Sequence, residues 1–291
     1  MRRFCVIGTP VGHSKSPQLF ERFSSERGIV YGTDAEYLRH EITDRGQLEE
    51  FVKEMRLGLW DGCNVTMPWK TDMVNMVDEL SETARITGSV NTVSAKKGHL
   101  YGDSTDGRGM LNAISGELGR EYRGTTVVLG CGGAARSIIA ELMVRKTGRL
   151  VIACRDAGHE AKEGSNLDLT LKMLGRMGEN LNLTLKMLGR MGENVEFVDI
   201  SDITMLDKAI AGADALINST PLGMLDGHGN ENRLPLPEEI EFTENLIVAD
   251  CVYNPDETLL IKKARESGCT TVKGIRMLEE QARCGVDILL G

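Results

Sequence analysis

Thr126-Val-Val-Leu-Gly130-Cys-Gly-Gly-Ala-Ala-Arg136 decides the fold of this chain. Its four leading residues form a short run of the kind buried on both faces of a parallel sheet. A glycine-rich turn follows, and Ala134–Arg145 then reads as a helix. Strand, turn and helix in that order are the setting of the G-x-G-x-x-(G/A) dinucleotide pattern. Gly130, Gly132 and Gly133 allow a tight turn and close approach of the backbone to a pyrophosphate. Ala134 and Ala135 lie at the helix start, where N–H groups and the positive dipole end favour an anion. A dinucleotide cofactor is the first expectation.

The flanking sequence extends this unit. Leu150–Ala153, Glu196–Val198, Ala215–Ile217 and Ile247–Ala249 read as further parallel strands. Thr258–Ser267 and Met277–Leu290 read as closing helices. Upstream, strands are expected at Phe4–Ile7, Ala35–Leu38 and Cys63–Val65, and helices at Pro17–Glu26, Gln47–Met55 and Ser81–Ile86. A hairpin is expected from Asn91–Ser94 and His99–Gly102 around Lys97-Gly98, before a helix over Asp106–Leu118. The predicted class is α/β: an N-terminal α/β substrate domain plus a Rossmann-like doubly wound parallel-sheet domain. The first covers 1–105 and is completed by a C-terminal helix at 275–291; the second covers 106–274.

Inside the second domain, Leu167–Asn180 recurs as Leu181–Asn194 with only Asp168 changed to Asn182. Two short copies cannot stack a solenoid core. The glycines at 175 and 178 predict that each copy ends its own helix. The expected reading is a tolerated surface insertion without function, costing only about 1 kcal/mol in closure entropy.

Composition excludes several functions. A net charge of −9 opposes binding to nucleic acid or anionic membrane, and 4% aromatics leave few platforms for stacking bases. Seven cysteines, an odd number with no C-x-x-C pair, give neither a zinc site nor a disulfide framework. No metal site is expected. Reduced cysteines in apolar runs fit the cytoplasm. The first apolar run is too short for a signal peptide, and none reaches the length of a membrane span.

Reactive groups cluster elsewhere. Asn64-Val-Thr-Met-Pro-Trp-Lys70 places one lysine after a short apolar run, and Gly102-Asp-Ser-Thr-Asp106-Gly107 offers a carboxylate partner. Lysine relays a proton when its environment lowers its pKa or holds it against a reacting oxygen. His13-Ser14-Lys15-Ser16-Pro17 is a turn entering a helix; its serines suit an N-cap or a cradle for a small carboxylate. After the second strand of the cofactor unit, Ala153-Cys-Arg155-Asp156 holds both an arginine able to grip a 2′-phosphate and an acid able to bind a free ribose hydroxyl. Spacing leaves both open.

Taken in order, eight segments resemble the shikimate dehydrogenase family. They are His13–Pro17, Asn64–Lys70, Gly88–Thr92, Ser104–Gly107, Gly130–Arg136, Asn218–Met224, Asp250–Thr258 and Gly274–Gln281. The resemblance runs nearly end to end, with the repeat outside it. It implies reversible NADP-linked reduction of 3-dehydroshikimate to shikimate, a step toward chorismate and the aromatic amino acids. Ser14 and Ser16 would then bind the substrate carboxylate beside Thr66 and Tyr253. Asn91, Asp106 and Gln281 would hold the ring hydroxyls. Lys70 would be the acid/base, supported by Asp106. The Gly130 loop would hold the pyrophosphate and Arg155 the 2′-phosphate, with Met224, Val252 and Gly274 near the nicotinamide. His13 would be a turn residue. No partner beyond the small-molecule substrate is implied, and the state would be monomer or homodimer.

The chain departs from the family pattern in places. Ser104 stands where asparagine is common before Thr-Asp-Gly, and Cys154 and Asp156 flank Arg155 in place of Asn and Thr. Two alternatives follow: a quinate/shikimate dehydrogenase using NAD, or a nucleotide-binding relative without turnover.

Overall fold

The computed structural model describes residues 1–155, 157, 159, 161–176, 194–225 and 229–291. Asp156 and residues 181–193 of the second repeat copy lie outside them. The chain divides into two units, Met1–Thr105 with Glu279–Gly291, and Asp106–Leu278.

Phe4, Cys5, Val6 and Ile7 are all buried because β1 (Arg2–Gly8) is an inner strand of the first sheet. Its parallel neighbours are β2 (Ala35–Glu41) and β3 (Gly62–Val65). Beyond β3 the sheet turns mixed, through β4 (Glu79–Leu80), β5 (Thr92–Lys96) and β6 (His99–Asp103), in the order β2-β1-β3-β5-β6-β4. The β5–β6 turn has Lys97 at φ 52° and Gly98 at φ 80°. Positive φ at both central residues matches the right-handed twist of the flanking strands, so the predicted hairpin closes there.

Helices cover this sheet by their apolar stripes. Helix α1 (Ser16–Ser25) buries Phe20 and Phe23. They pack with Phe4, Val6 and Tyr37, and with Val286 and Leu289 of the C-terminal helix. Helix α2 (Arg45–Arg56) starts at Asp44, whose carboxylate accepts from Gln47 N at 3.0 Å. Its Leu48, Phe51, Val52 and Met55 fall on one helical face and join Cys5, Ile7 and Trp60 in a separate cluster. Helix α3 (Glu82–Thr87) is capped by Ser81 and stopped by left-handed Gly88.

The second unit runs α4 (Asp106–Leu118), β7 (Thr126–Leu129), α5 (Gly133–Val144), β8 (Leu150–Cys154), α6 (Asn166–Arg176) and β9 (Val195–Asp199). It continues with α7 (Ile203–Ala211), β10 (Ala215–Asn218), β11 (Ile247–Asp250), α8 (Leu259–Glu266) and β12 (Thr270–Val272). Helix α9 (Gly274–Leu290) begins here and ends in the first unit. The sheet order is β12-β11-β10-β7-β8-β9, with every pairing parallel. Val127 and Leu129 pack with Leu206 and Ile210 of α7 and Leu260 and Ala264 of α8. Val128, between them and equally buried, faces the other side. Both faces are therefore covered, as a doubly wound sheet requires, and the strand order reverses between β7 and β10. The expected α/β class holds.

Candidate active site

In the first unit, two turns are stitched together at the ends of β1 and β3. Thr66 N donates to Ile7 O at 2.9 Å, and Thr9 N donates to Met67 O at 3.0 Å. A Cβ on Gly8 would lie 2.4 Å from Thr66 Cγ2 and 2.7 Å from Met67 O, so only glycine lets the turns meet. Trp69 anchors the segment: it is buried, and its indole N–H donates to Ile42 O at 2.8 Å. Lys70 follows, half-buried. Its carbonyl accepts from Val90 N at 2.8 Å, which ties it to the turn holding Asn91.

Neither serine of the first turn works as the helix cap. The N-cap of α1 is Lys15, and its side chain makes no cap bond. Instead Ser14 Oγ donates to Ser16 Oγ at 3.1 Å and accepts from Ser16 N at 3.2 Å. Both are half-buried, and so is Thr66. Asn91 is 4% exposed and fully engaged. Its Nδ2 donates to Thr105 Oγ1 at 3.0 Å and to Gln281 Oε1 at 3.2 Å. Its Oδ1 accepts from Thr105 N at 2.9 Å and Thr92 Oγ1 at 3.1 Å. Asn91 and Gln281, 190 positions apart, thus meet in one polar group. His13 is exposed.

In the second unit, the glycine loop leaves β7 at the reversal point of the sheet. Gly130 has φ 100°, and a Cβ there would lie 3.0 Å from both Ser219 Oγ and Thr220 Cγ2. The N-cap of α5 is Gly132, extended and without a side-chain cap. Backbone N–H groups of Gly133, Ala134 and Ala135 open the helix, where no earlier carbonyl of the helix serves them. An uncapped helix start behind a crowded, positive-φ Gly130, with open space at Gly132 and Gly133, fits a pyrophosphate. The Cys131 carbonyl is turned away, accepting from Thr170 Oγ1 at 2.9 Å and Arg136 Nη1 at 3.3 Å. Thr170 belongs to the first repeat copy, so that copy packs on the loop. Arg155 is exposed just after β8.

Asp106 is the first residue of α4 and half-buried. A Cβ on the next residue, Gly107, would lie 2.0 Å from Ser137 O, so α4 passes α5 without space for any side chain. The helix that begins at Asp106 is locked to the helix that begins at the glycine loop. Burial pushes the Cys251 thiol up, and the nearby Asp250 and Asp106 carboxylates add to it. This places Asp106 near the end of β11. A Cβ on Gly274 would lie 2.3 Å from Val252 O, so α9 starts directly against Val252 and Tyr253. Met224 and Tyr253 are both partly open to solvent, at 37% and 48%.

Asp250 ties this region together. It accepts from Asn218 Nδ2 at 2.9 Å, Val252 N at 2.9 Å and Thr258 Oγ1 at 2.6 Å. Burial pushes its carboxyl up to about 6, against the pull of these bonds. The folded state therefore holds this proton more tightly than the unfolded chain. Its contribution to stability falls as pH rises from about 4 through about 6, then levels off. Between pH 4 and 7, Asp250→Asn is expected to gain on the order of 3 kcal/mol relative to the parent. Urea unfolding at both pH values measures it; a pH-independent difference would disprove the assignment.

Ser104, at the position where asparagine was expected, is fully buried, and its hydroxyl has no hydrogen-bond partner among the described residues. An unpaired buried hydroxyl costs roughly 1–3 kcal/mol. Ser104→Ala should therefore leave the melting temperature unchanged or raise it; a clear drop would reveal a bound water.

Tyr37, Thr92, Thr105, Thr170 and Asp250 make polar contacts around these segments that sequence spacing does not predict. For Asp250 a signal existed: an acid ending an apolar strand run within a recognised segment. Tyr37 and Thr92 look like ordinary strand residues, and only the fold places them.

Residues 6–93 match the model of a family described as the shikimate dehydrogenase substrate binding domain. A shikimate dehydrogenase (NADP(+)) of Streptococcus gordonii is 34% identical over 294 aligned residues, spanning 100% of this chain and 91% of that protein. Among solved structures, the shikimate 5-dehydrogenase of Listeria monocytogenes in complex with shikimate and NAD superposes with a TM-score of 0.82. It is 29% identical, covering 100% of this chain and 92% of that one. A quinate dehydrogenase of Corynebacterium glutamicum in complex with NAD gives 0.76 at 27% identity, covering 99% and 93%.

Proposed function

This chain belongs to the shikimate dehydrogenase family, and on that premise we propose that it catalyses the reversible NADP-linked reduction of 3-dehydroshikimate to shikimate. The observation that carries the reading is the full-length match to NADP-linked shikimate dehydrogenases at 34% identity. The first unit takes the substrate and the second the cofactor. NADPH, when bound, supplies the hydride.

The chain's own residues do the rest. Ser14 and Ser16 receive the carboxylate, with Thr66 and Tyr253. Asn91, Asp106 and Gln281 orient the ring through its hydroxyls. Lys70 donates a proton to the ketone oxygen as charge develops there, and accepts one in the reverse direction. Asp106 supports that lysine and accepts from a hydroxyl. Gly130, Gly132, Gly133, Ala134 and Ala135 hold the pyrophosphate by backbone N–H groups. Met224, Val252 and Gly274 border the nicotinamide. Seven free cysteines fit a reducing cytoplasm, and among the described residues no helix is long and apolar enough to cross a membrane.

Purified protein with shikimate and NADP⁺ should develop the absorbance of reduced nicotinamide. Quinate and NAD⁺ form the parallel arms, since a quinate dehydrogenase with NAD shares the fold. Silence in all four combinations would favour a non-catalytic nucleotide-binding protein. Arg155 is assigned to the 2′-phosphate, so Arg155→Ala should weaken NADP⁺ by about tenfold or more and spare NAD⁺, a charge-assisted contact being worth roughly 1.5–3 kcal/mol. Equal losses for both cofactors would contradict the assignment.

A further inference from the structure

A row of hydrogen bonds runs from Tyr37 to Gln281 in the first unit, and Ser14 and Ser16 form a short bonded pair of their own. Ser14 Oγ donates to Ser16 Oγ at 3.1 Å. Tyr37 Oη donates to Asn64 Oδ1 at 2.7 Å, and its ring packs on Phe20, one turn along α1 from Ser16. Asn64 Nδ2 donates to Thr92 Oγ1 at 3.0 Å, and Thr92 Oγ1 donates to Asn91 Oδ1 at 3.1 Å. Asn91 Nδ2 then reaches Gln281 Oε1 at 3.2 Å. The serines and Gln281 are half-buried, while Tyr37 and Thr92 are 2% and 0% exposed. Tyr37 itself is fixed: its ring centroid lies 4.8 Å from that of Phe20 in α1.

We propose that Tyr37 is a positioning residue for substrate binding: its hydroxyl holds Asn64 and, through Thr92, the Asn91–Gln281 end, while its ring packs under the helix that carries Ser16, so that the two ends form one preset surface. The proposal rests on the reading of Ser14, Ser16, Asn91 and Gln281 as substrate contacts. Serine hydroxyls and amide groups rotate freely on an open surface, and ordering them on binding weakens affinity. Tyr37 supplies a rigid point in the core that removes this freedom beforehand. When a carboxylate arrives, the serine O–H groups turn toward it. The Tyr37 O–H stays on Asn64, so the oxygen and nitrogen positions persist.

Steady-state kinetics of the full chain, with each substrate varied, test this. An inactive parent protein would sink the activity reading rather than the role of Tyr37. With an active parent, Tyr37→Phe should raise the shikimate KM about three- to tenfold, the range expected for one hydrogen bond. The turnover number and the NADP⁺ KM should stay within about twofold. In combination with Asn64→Ala the two effects should be less than additive, because Tyr37 acts through Asn64. An unchanged shikimate KM, an additive pair, or a parallel loss of turnover, cofactor affinity and thermal stability would each overturn the proposal. Loss of folding would also overturn it, since the hydroxyl would then serve stability.

Discussion

Lys70→Ala is expected to lower kcat by a factor of about 10²–10⁴, with the shikimate KM changed far less. Hydride addition to a ketone carbon leaves charge on oxygen, which needs a donor at that moment and little help before it. A group acting in the transition state alone depresses kcat and kcat/KM equally, whereas a mere binding group raises KM. The backbone at Lys70 is fixed from two sides, by Trp69 and its bond to Ile42 O and by Val90 N on the Lys70 carbonyl. Truncating the side chain should therefore leave the turn in place. Turnover at the parental rate would remove lysine from the mechanism.

The second large effect belongs to a residue with no reactive group. Gly107→Ala would set a methyl 2.0 Å from the Ser137 backbone oxygen, well inside contact distance. A backbone carbonyl within α5 cannot swing aside as a side-chain tip does, so α4 must move. Overpacking of this kind costs about 1–3 kcal/mol, occasionally more. Because Asp106 is the neighbouring residue, the displacement passes straight to its carboxylate. A shift near 1 Å at a positioned group costs about 10²-fold in rate. The expected variant thus melts lower and turns over far more slowly. A fully active variant of parental stability would mean that the two helices part without consequence.

How far the sequence carried these conclusions depends on the range of the interaction. Local rules located the hairpin at Lys97-Gly98, the helix over Asp106–Leu118 and the glycine loop, because backbone conformation there is set by neighbouring residues. Strands β4 and β12 escaped notice: two and three residues are too few for any periodicity. Helix α7 was legible and overlooked, since Asp202 accepts from Met205 N and Leu206 and Ile210 share one face. The Tyr37–Asn64 bond and the meeting of Asn91 with Gln281 could not be read by spacing at all. They join strands and helices whose pairing is decided by the whole sheet. The first repeat copy also has a place that its sequence hid, with Thr170 hydrogen-bonded to the glycine loop. Asp156 and residues 181–193 of the second copy lie outside the described residues.

Helix α9 imposes an order on the birth of the molecule. Val286 and Leu289 complete a core otherwise made by Phe4, Phe20, Phe23 and Tyr37. On the ribosome the first hundred residues emerge early, and their cluster around Leu48 and Phe51 needs nothing later, yet the cluster around Phe20 and Tyr37 waits for residues that follow the whole second unit. Residues Asp106–Leu278 are contiguous and have every strand of their sheet before the chain ends. The usual sequence of amino-terminal domain first is inverted: the nucleotide half closes while the opening half still lacks its final helix. A stop codon placed before residue 279 would then leave the later unit whole and the earlier one without the residues that complete its second cluster.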